Sequence, residues 1–198
     1  MSRYAWPMNP LERFAELMAD AAKIGGILEN AVTLCTVDAD GRPWARTVLV
    51  KDVTPDAVTF FTNKQSAKSL DLAANPRAVL CVYWHHTLKQ VQLAGPVEPL
   101  LDAENDAYFA TRPRGSQIGA WASDQSRPLE NRQTLLDAVA EQTRRFEGVK
   151  QIPRPPHWGG YRILADEVEI WHDGEYRIHH RERFTKTDEG WEMGLLQP

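Results

Sequence analysis

Ala31-Val32-Thr33-Leu34-Cys35-Thr36-Val37-Asp38-Ala39-Asp40-Gly41 decides the fold. Up to Val37 the residues suit a pleated, half-buried strand, and Asp38-Ala39-Asp40-Gly41 is turn chemistry. A second strand-like run, Trp44 to Val53, follows at once. Strand, tight turn and strand make a hairpin, the unit of an antiparallel sheet.

Downstream the same grammar repeats. Val58–Thr62 follows a Pro55-Asp56 turn, and Ala78–Trp84 and Lys89–Val97 flank His85-His86-Thr87. Asp173-Gly174 turns Tyr161–Trp171 into Tyr176–Phe184, and a last run follows Asp188-Glu189-Gly190. Helical spacing is confined to the gaps. Asn9, Pro10 and Glu12 open a helix carrying Leu11, Phe14, Met18 and Ala21, which Gly25-Gly26 ends. Ser66 caps a short helix through Leu72 and Ala73 that stops near Asn75, because Pro76 disfavours helix before it. Two further helices are expected, over Asp102–Ala110 and Leu129–Phe146, with a polar, glycine-containing loop, Arg112–Arg127, between them. Pro153, Pro155 and Pro156 form a rigid connector. The expectation is one domain over residues 1–198 with residues 1–8 as a flexible tail. Its class is α+β, mainly β: a Greek-key-like antiparallel barrel with peripheral helices. A parallel doubly wound sheet needs regular strand–helix alternation, which is absent.

Composition narrows the chemistry. The 198 residues are 42% hydrophobic and 25% charged, an ordinary globular balance. A net charge of -4 supplies no global field to recruit nucleic acid or an anionic membrane, so any bound anion must be held by local arginine and lysine. No stretch has the length of a signal peptide's apolar core or of a membrane span. Cys35 and Cys81 lie in apolar runs and read as buried thiols in a reducing compartment, hence a cytoplasmic protein. His-Glu-x-x-His, Cys-x-x-Cys, Gly-x-Gly-x-x-Gly and Walker patterns are all missing, so no metal site is expected and a nucleotide phosphate would be held by side chains.

Within Tyr176–Phe184, a regular strand would put Arg177, His179, Arg181 and Arg183 on one face. Such a face is either a solvated surface or an anion site. Arg46 and Lys51 bracket an apolar run with opposite parity, so they fall on opposite faces unless a bulge intervenes. The stretch Tyr108 to Trp121 offers a phenol, two guanidinium groups and a hydroxyl among glycines, an inventory that suits phosphate and equally an ordinary surface loop. Gln90 and Gln92 share a strand face that either meets solvent or reads the polar edge of a flat heterocycle. Trp158 and Trp171 read first as core.

From about Asn9 to Pro198 the chain resembles the pyridoxine (pyridoxamine) 5'-phosphate oxidase family. The landmarks, in family order, are Arg46-Thr47-Val48-Leu49-Val50-Lys51, Phe60-Phe61-Thr62-Asn63, Ser66-Ala67-Lys68, Gln90-Val91, Tyr108-Phe109 with Arg112-Pro113-Arg114, Ser116 to Ala120, Gln125-Ser126, Trp158 to Tyr161, and Glu169-Ile170-Trp171 leading to Arg177-Ile178-His179. The resemblance implies a split β-barrel that forms a homodimer with two flavin mononucleotides (FMN) between the subunits. It implies a flavin site lined by Arg46, Thr47, Val48, Leu49, Val50, Lys51, Phe61, Thr62, Lys68, Gln90, Gln125, Ser126, Trp171 and Arg181. It implies that the substrate phosphate is held by Lys51, Tyr108, Arg112 and Ser116, with Arg177, Ile178 and His179 at the pyridine ring and Arg177 and His179 at the reacting carbon. The implied reaction oxidises pyridoxamine or pyridoxine 5'-phosphate to pyridoxal 5'-phosphate, with oxygen as acceptor and hydrogen peroxide as product. Three departures stand out: Ala67 in place of an arginine, His180 in place of an acidic residue, and Leu195 in place of an arginine. The first removes one charge-assisted contact to the flavin, worth roughly 1.5–3 kcal/mol. Two rivals remain, a phenazine-biosynthesis type of flavin oxidase and a non-catalytic binder of FMN or pyridoxal phosphate. Substrate turnover separates the first, and the lack of peroxide production the second.

Overall fold

The computed structural model describes residues 4–5, 9–24 and 28–198. Along the chain come β1 (Tyr4–Ala5), α1 (Pro10–Ile24), β2 (Ala31–Val37), β3 (Pro43–Val53), β4 (Ala57–Asn63), α2 (Ala67–Ala74), β5 (Arg77–Trp84) and β6 (Lys89–Pro99). They continue with α3 (Asp102–Thr111), α4 (Arg114–Ala122), α5 (Arg132–Arg145), β7 (Trp158–Leu164), β8 (Glu167–His172), a single 3-10 turn (Glu175–Arg177), β9 (His180–Thr187) and β10 (Gly190–Leu195).

Every strand pairing is antiparallel. The strand order β1-β10-β9-β8-β6-β5-β2-β3-β4-β7, with β7 returning to β6, closes six strands into a barrel and leaves β8, β9, β10 and β1 as a wing. Strand β6 serves both parts: Lys89–Ala94 pairs with β8, and Val97–Pro99 pairs with β7. The division falls at Gly95, where an added Cβ would meet the Leu164 carbonyl oxygen at 1.9 Å, so only glycine lets the β7–β8 connection cross there. The expected single strand Tyr161–Trp171 is therefore two strands. Its break at Ala165-Asp166 is fixed by Ala165 N–H donating to the Asp56 carbonyl (3.2 Å) and Asp166 N–H to that of Ala94 (3.0 Å).

Alternation sorts the side chains into two cores. Val32, Leu34, Phe60, Val58, Leu93 and Ile163 of the barrel strands form the larger core together with Ile170 and Phe184 of the wing. Helix α1 adds Leu11, Phe14 and Leu17, none more than 2% exposed, each contributing on the order of 1.5–3 kcal/mol. Asn9 caps this helix as expected, its Oδ1 accepting from the Leu11 N–H at 2.8 Å. The neighbouring residue on β4, Phe61, points the other way and joins a second cluster of Phe109, Ile118, Phe146, Ile152 and Trp158 beneath α3, α4 and α5.

Several expectations are corrected. The loop expected over Arg112–Arg127 contains α4, whose Gly115 and Gly119 are tolerated because Ile118 is buried and Gln117 Nε2 donates to the Phe109 carbonyl (2.9 Å). Helix α5 starts at Arg132, three residues later than expected, because Asn131 caps it by accepting from Thr134 N–H at 3.1 Å. Ser66 precedes α2 without a side-chain cap, and its Oγ accepts from Lys68 Nζ. The expected strand Tyr176–Phe184 begins only at His180, after a turn in which Tyr176 (φ 56°) and Arg177 (φ 67°) are left-handed. Arg177 and His179 thus leave the strand face that Arg181 and Arg183 share. Cys35 and Cys81 are free but half-buried, on the opposite side of β2 and β5 from Leu34 and Leu80. Of the expected tail, Tyr4–Ala5 pairs with β10, while residues 1–3 and 6–8 lie outside the described residues, as do Gly25-Gly26.

Candidate active site

Between the two cores opens a cavity of about 390 Å³. Strand β3 contributes Thr47 and Val48, β4 contributes Phe61, Thr62 and Asn63, and α2 contributes Lys68. Arg112, Ser116, Gly119, Ala120, Ser123, Gln125 and Trp158 complete the wall. Residues far apart in sequence meet here: Thr62 Oγ1 lies 3.0 Å from Gln125 Oε1, and Lys68 Nζ donates to Gln125 Oε1 (2.9 Å), Thr62 Oγ1 (3.1 Å) and Ser66 Oγ (3.2 Å).

All three acceptors of Lys68 are neutral oxygens. Burial, and then the Arg46 charge, push its ammonium down to about 8, with Asp71 opposing. Arg112 is a second cation without a carboxylate. Its guanidinium lies 4.8 Å over the Trp158 ring and 5.5 Å over that of Phe109, and its buried Nη1 has no hydrogen-bond partner among the described residues. Burial lowers its proton affinity, as expected for a desolvated cation. Lys68, buried, and Arg112, half-buried with Nη1 fully covered, both contact neutral groups and create a standing demand for an anion.

The four residues expected at the substrate phosphate do not share this cavity. Lys51 and Tyr108 line a second one of about 320 Å³, with Glu104 and Arg162. A bulge does intervene at Lys51, since the β3–β4 register shifts between Val50 and Asp52. Phe61 borders both cavities and stacks on Tyr108 at 4.0 Å and 11°, while Trp158 lies 5.1 Å from Phe61. One aromatic layer therefore separates Lys51 and Tyr108 from Arg112 and Ser116.

Other expected flavin residues lie outside both cavities. Arg46 is engaged by Asp71 (3.1 Å) and Thr36. Val50 points into the barrel core, and Asn30 bonds both its N–H (2.9 Å) and its carbonyl (2.8 Å). Leu49 pairs with Ala31 on β2, and Ser126 follows Gln125 in a left-handed conformation (φ 70°).

The remaining residues form a separate patch on the wing. Gln90, Trp171 and Arg181 sit in register across β6, β8 and β9. Arg181 is held by Glu169 at 2.8 and 3.0 Å, and by the Gln197 carbonyl at 2.8 Å. The His179 ring packs 4.6 Å from that of Trp171, beside the exposed Arg177 and Ile178. Gly174 permits this turn, since a Cβ there would meet the Ile178 carbonyl oxygen at 2.0 Å. The sequence reading missed Asn63, Ser123, Glu104 and Arg162 as cavity residues, and it favoured core over a cofactor platform for Trp158, which serves the second core and the cavity wall together. The one available signal was that Asn63 follows Phe61-Thr62 on the same strand.

Comparison with known proteins places this geometry. A model described as pyridoxamine 5'-phosphate oxidase matches residues 26–144, and one described as a pyridoxine 5'-phosphate oxidase C-terminal dimerisation region matches residues 158–198. A protein of Anaeromyxobacter dehalogenans named pyridoxine/pyridoxamine 5'-phosphate oxidase is 48% identical over 190 residues, covering 96% of each chain. One of the same name from Brucella canis is 49% identical over 192 residues, covering 96% of this chain and 94% of the other. Among solved structures, PhzG of Burkholderia lata, in complex with tetrahydrophenazine-1-carboxylic acid, superposes with a TM-score of 0.90 at 30% identity, covering 97% of this chain and 94% of the other. An FMN-binding protein of Nostoc punctiforme related to pyridoxamine 5'-phosphate oxidase has the same fold, with a TM-score of 0.75 at 18% identity over the whole of both chains.

Proposed function

Because the chain belongs to the pyridoxamine 5'-phosphate oxidase family, we propose that the cavity and the wing patch are the two halves of its active site. The protein is a pyridoxine/pyridoxamine 5'-phosphate oxidase. It forms pyridoxal 5'-phosphate with oxygen as acceptor and hydrogen peroxide as product. The observation that carries the site assignment is the buried, unpartnered Arg112 Nη1 beside the carboxylate-free Lys68. An anionic phosphate at each, the flavin's at Lys68 and the substrate's at Arg112, satisfies the two cations.

The donor set fits a flavin, and FMN in particular. Lys68, Thr62 and Gln125 supply donors for a phosphate and a polar ring edge, and Phe61 and Trp158 supply flat apolar walls. A bound flavin supplies the hydride acceptor and the reactivity toward oxygen. The protein's own residues bind and orient. Arg112 and Ser116 hold the substrate phosphate, and Lys51 and Tyr108 line the adjoining cavity across Phe61. Arg177 and His179 flank the reacting carbon and shield it from water. The match over residues 158–198 to a dimerisation region supports a homodimer in which the wing of one protomer closes over the cavity of its partner. Two free thiols on neighbouring strands support a cytoplasmic location.

Two measurements test this. The purified protein should show a flavin spectrum and form aldehyde and peroxide from pyridoxamine 5'-phosphate. Co-expressed Arg112→Ala and Arg177→Ala chains should recover about one quarter of wild-type activity, because half the dimers are mixed and each carries one intact site. No recovery would show that both residues act within one chain. The structural likeness to PhzG supports a second reading, oxidation of a reduced phenazine acid. Turnover of such a substrate, with none on pyridoxamine 5'-phosphate, would favour it.

A further inference from the structure

The turn that carries His179 also carries a carboxylate aimed at its ring. Asp173 Oδ1 lies 3.2 Å from His179 Nδ1, and the Gly174 N–H lies 3.3 Å from the same nitrogen. These neighbours make opposite demands. The carboxylate needs a proton on Nδ1, whereas the amide needs Nδ1 bare and the proton on Nε2. A charge-assisted bond is roughly twice as strong as a neutral one, so the carboxylate prevails. Asp173 is well placed to hold the ring, since its own N–H donates to the Leu88 carbonyl (3.1 Å) at the end of the β5–β6 connection. Trp171 walls the ring at 4.6 Å.

We propose that Asp173 is the positioning residue of His179. It fixes the tautomer with Nδ1 protonated and presents Nε2 as a hydrogen-bond acceptor at the reacting carbon. The functional part rests on the reading of His179 given above.

The test uses the intact enzyme labelled with ¹⁵N in its imidazoles, with His179 assigned by the signal lost in His179→Gln. At about pH 8.5, above the ordinary histidine range, the wild type should show a protonated Nδ1 and a bare Nε2. In Asp173→Asn the carboxamide can donate to Nδ1, so the proton should move to Nε2. Turnover should fall about tenfold or more with KM little changed, the signature of a misoriented base. Asp173→Glu, which keeps the carboxylate, should restore part of kcat. The melting temperature should not move, because Asp173 is half exposed. A wild-type ring already protonated on Nε2, or an Asp173→Asn enzyme with unchanged tautomer and kcat, overturns the proposal. Full turnover by His179→Gln would instead remove the catalytic role of His179, while the tautomer comparison still decides whether Asp173 holds the ring.

Discussion

The cavity and the wing patch both present arginines, yet they treat them in opposite ways. Arg112 and Lys68 are buried against neutral groups. On the wing, Arg181 is bound by Glu169 and Arg183 by Glu167. Counting cations therefore says little about anion binding. What matters is whether a carboxylate already holds the cation: among the described residues Arg112 and Lys68 of the cavity and Arg177 of the wing turn have no carboxylate in contact, whereas Arg181 and Arg183 do.

The sharpest way to break this contrast is Arg112→Ala. It should reduce kcat/KM for pyridoxamine 5'-phosphate roughly 10- to 150-fold, mainly through KM, as expected for loss of a charge-assisted bond. Arg177→Ala should instead lower kcat. Equal effects on both parameters would remove the division between holding and reacting, and steady-state kinetics decides it.

Gly174→Ala comes next, on the wing side. The turn must open to clear the Ile178 carbonyl, which should cost about 1–3 kcal/mol in a denaturant titration. Turnover should fall while flavin affinity is retained. A variant as stable and active as wild type would mean that the turn's shape is dispensable.

Lys68 offers a pH test of the cavity. Its proton affinity is depressed in the folded protein and ordinary in the unfolded chain. The charged form is thus the disfavoured one in the fold: the cost is full below about 8 and is relieved as pH rises toward the ordinary lysine range. Flavin binding should show the converse, weakening by up to about tenfold per pH unit above the folded value, as the ammonium is lost. Lys68→Met should bind flavin more weakly and abolish that slope in a fluorescence titration. A slope that persists in Lys68→Met would trace to another group.

The smallest effect is expected at Arg183→Gln. Arg183 and Glu167 are both substantially exposed, and such pairs contribute about 0–1 kcal/mol. A larger loss in urea unfolding would mean that the wing's ion pairs are structural after all.

How far the sequence disclosed all this depends on the range of the interactions. β2, β4, β5 and β6 were legible to within two residues, because alternation and turn chemistry are local. Helix α4 was not, since Gly115 and Gly119 argue against it and only burial of Ile118 and the Gln117 contact overrule them. The turn at Tyr176-Arg177 was also hidden, because neither residue type announces a left-handed backbone. The local inventory could nominate Arg112, and the family resemblance Lys68 and Gln125, but neither gave their convergence. The Lys68–Gln125 contact spans 57 positions, and no periodicity encodes it.

The double service of β6 has a consequence for how the chain is made. Until Trp158–Leu164 emerges from the ribosome, β4 and the far end of β6 are naked sheet edges, because β7 alone zips them together. From Pro99 until Trp158 the growing chain therefore carries an open, adhesive half-cylinder, and β7 works as the clasp. A chain halted before Trp158 leaves both edges open to pairing with another copy.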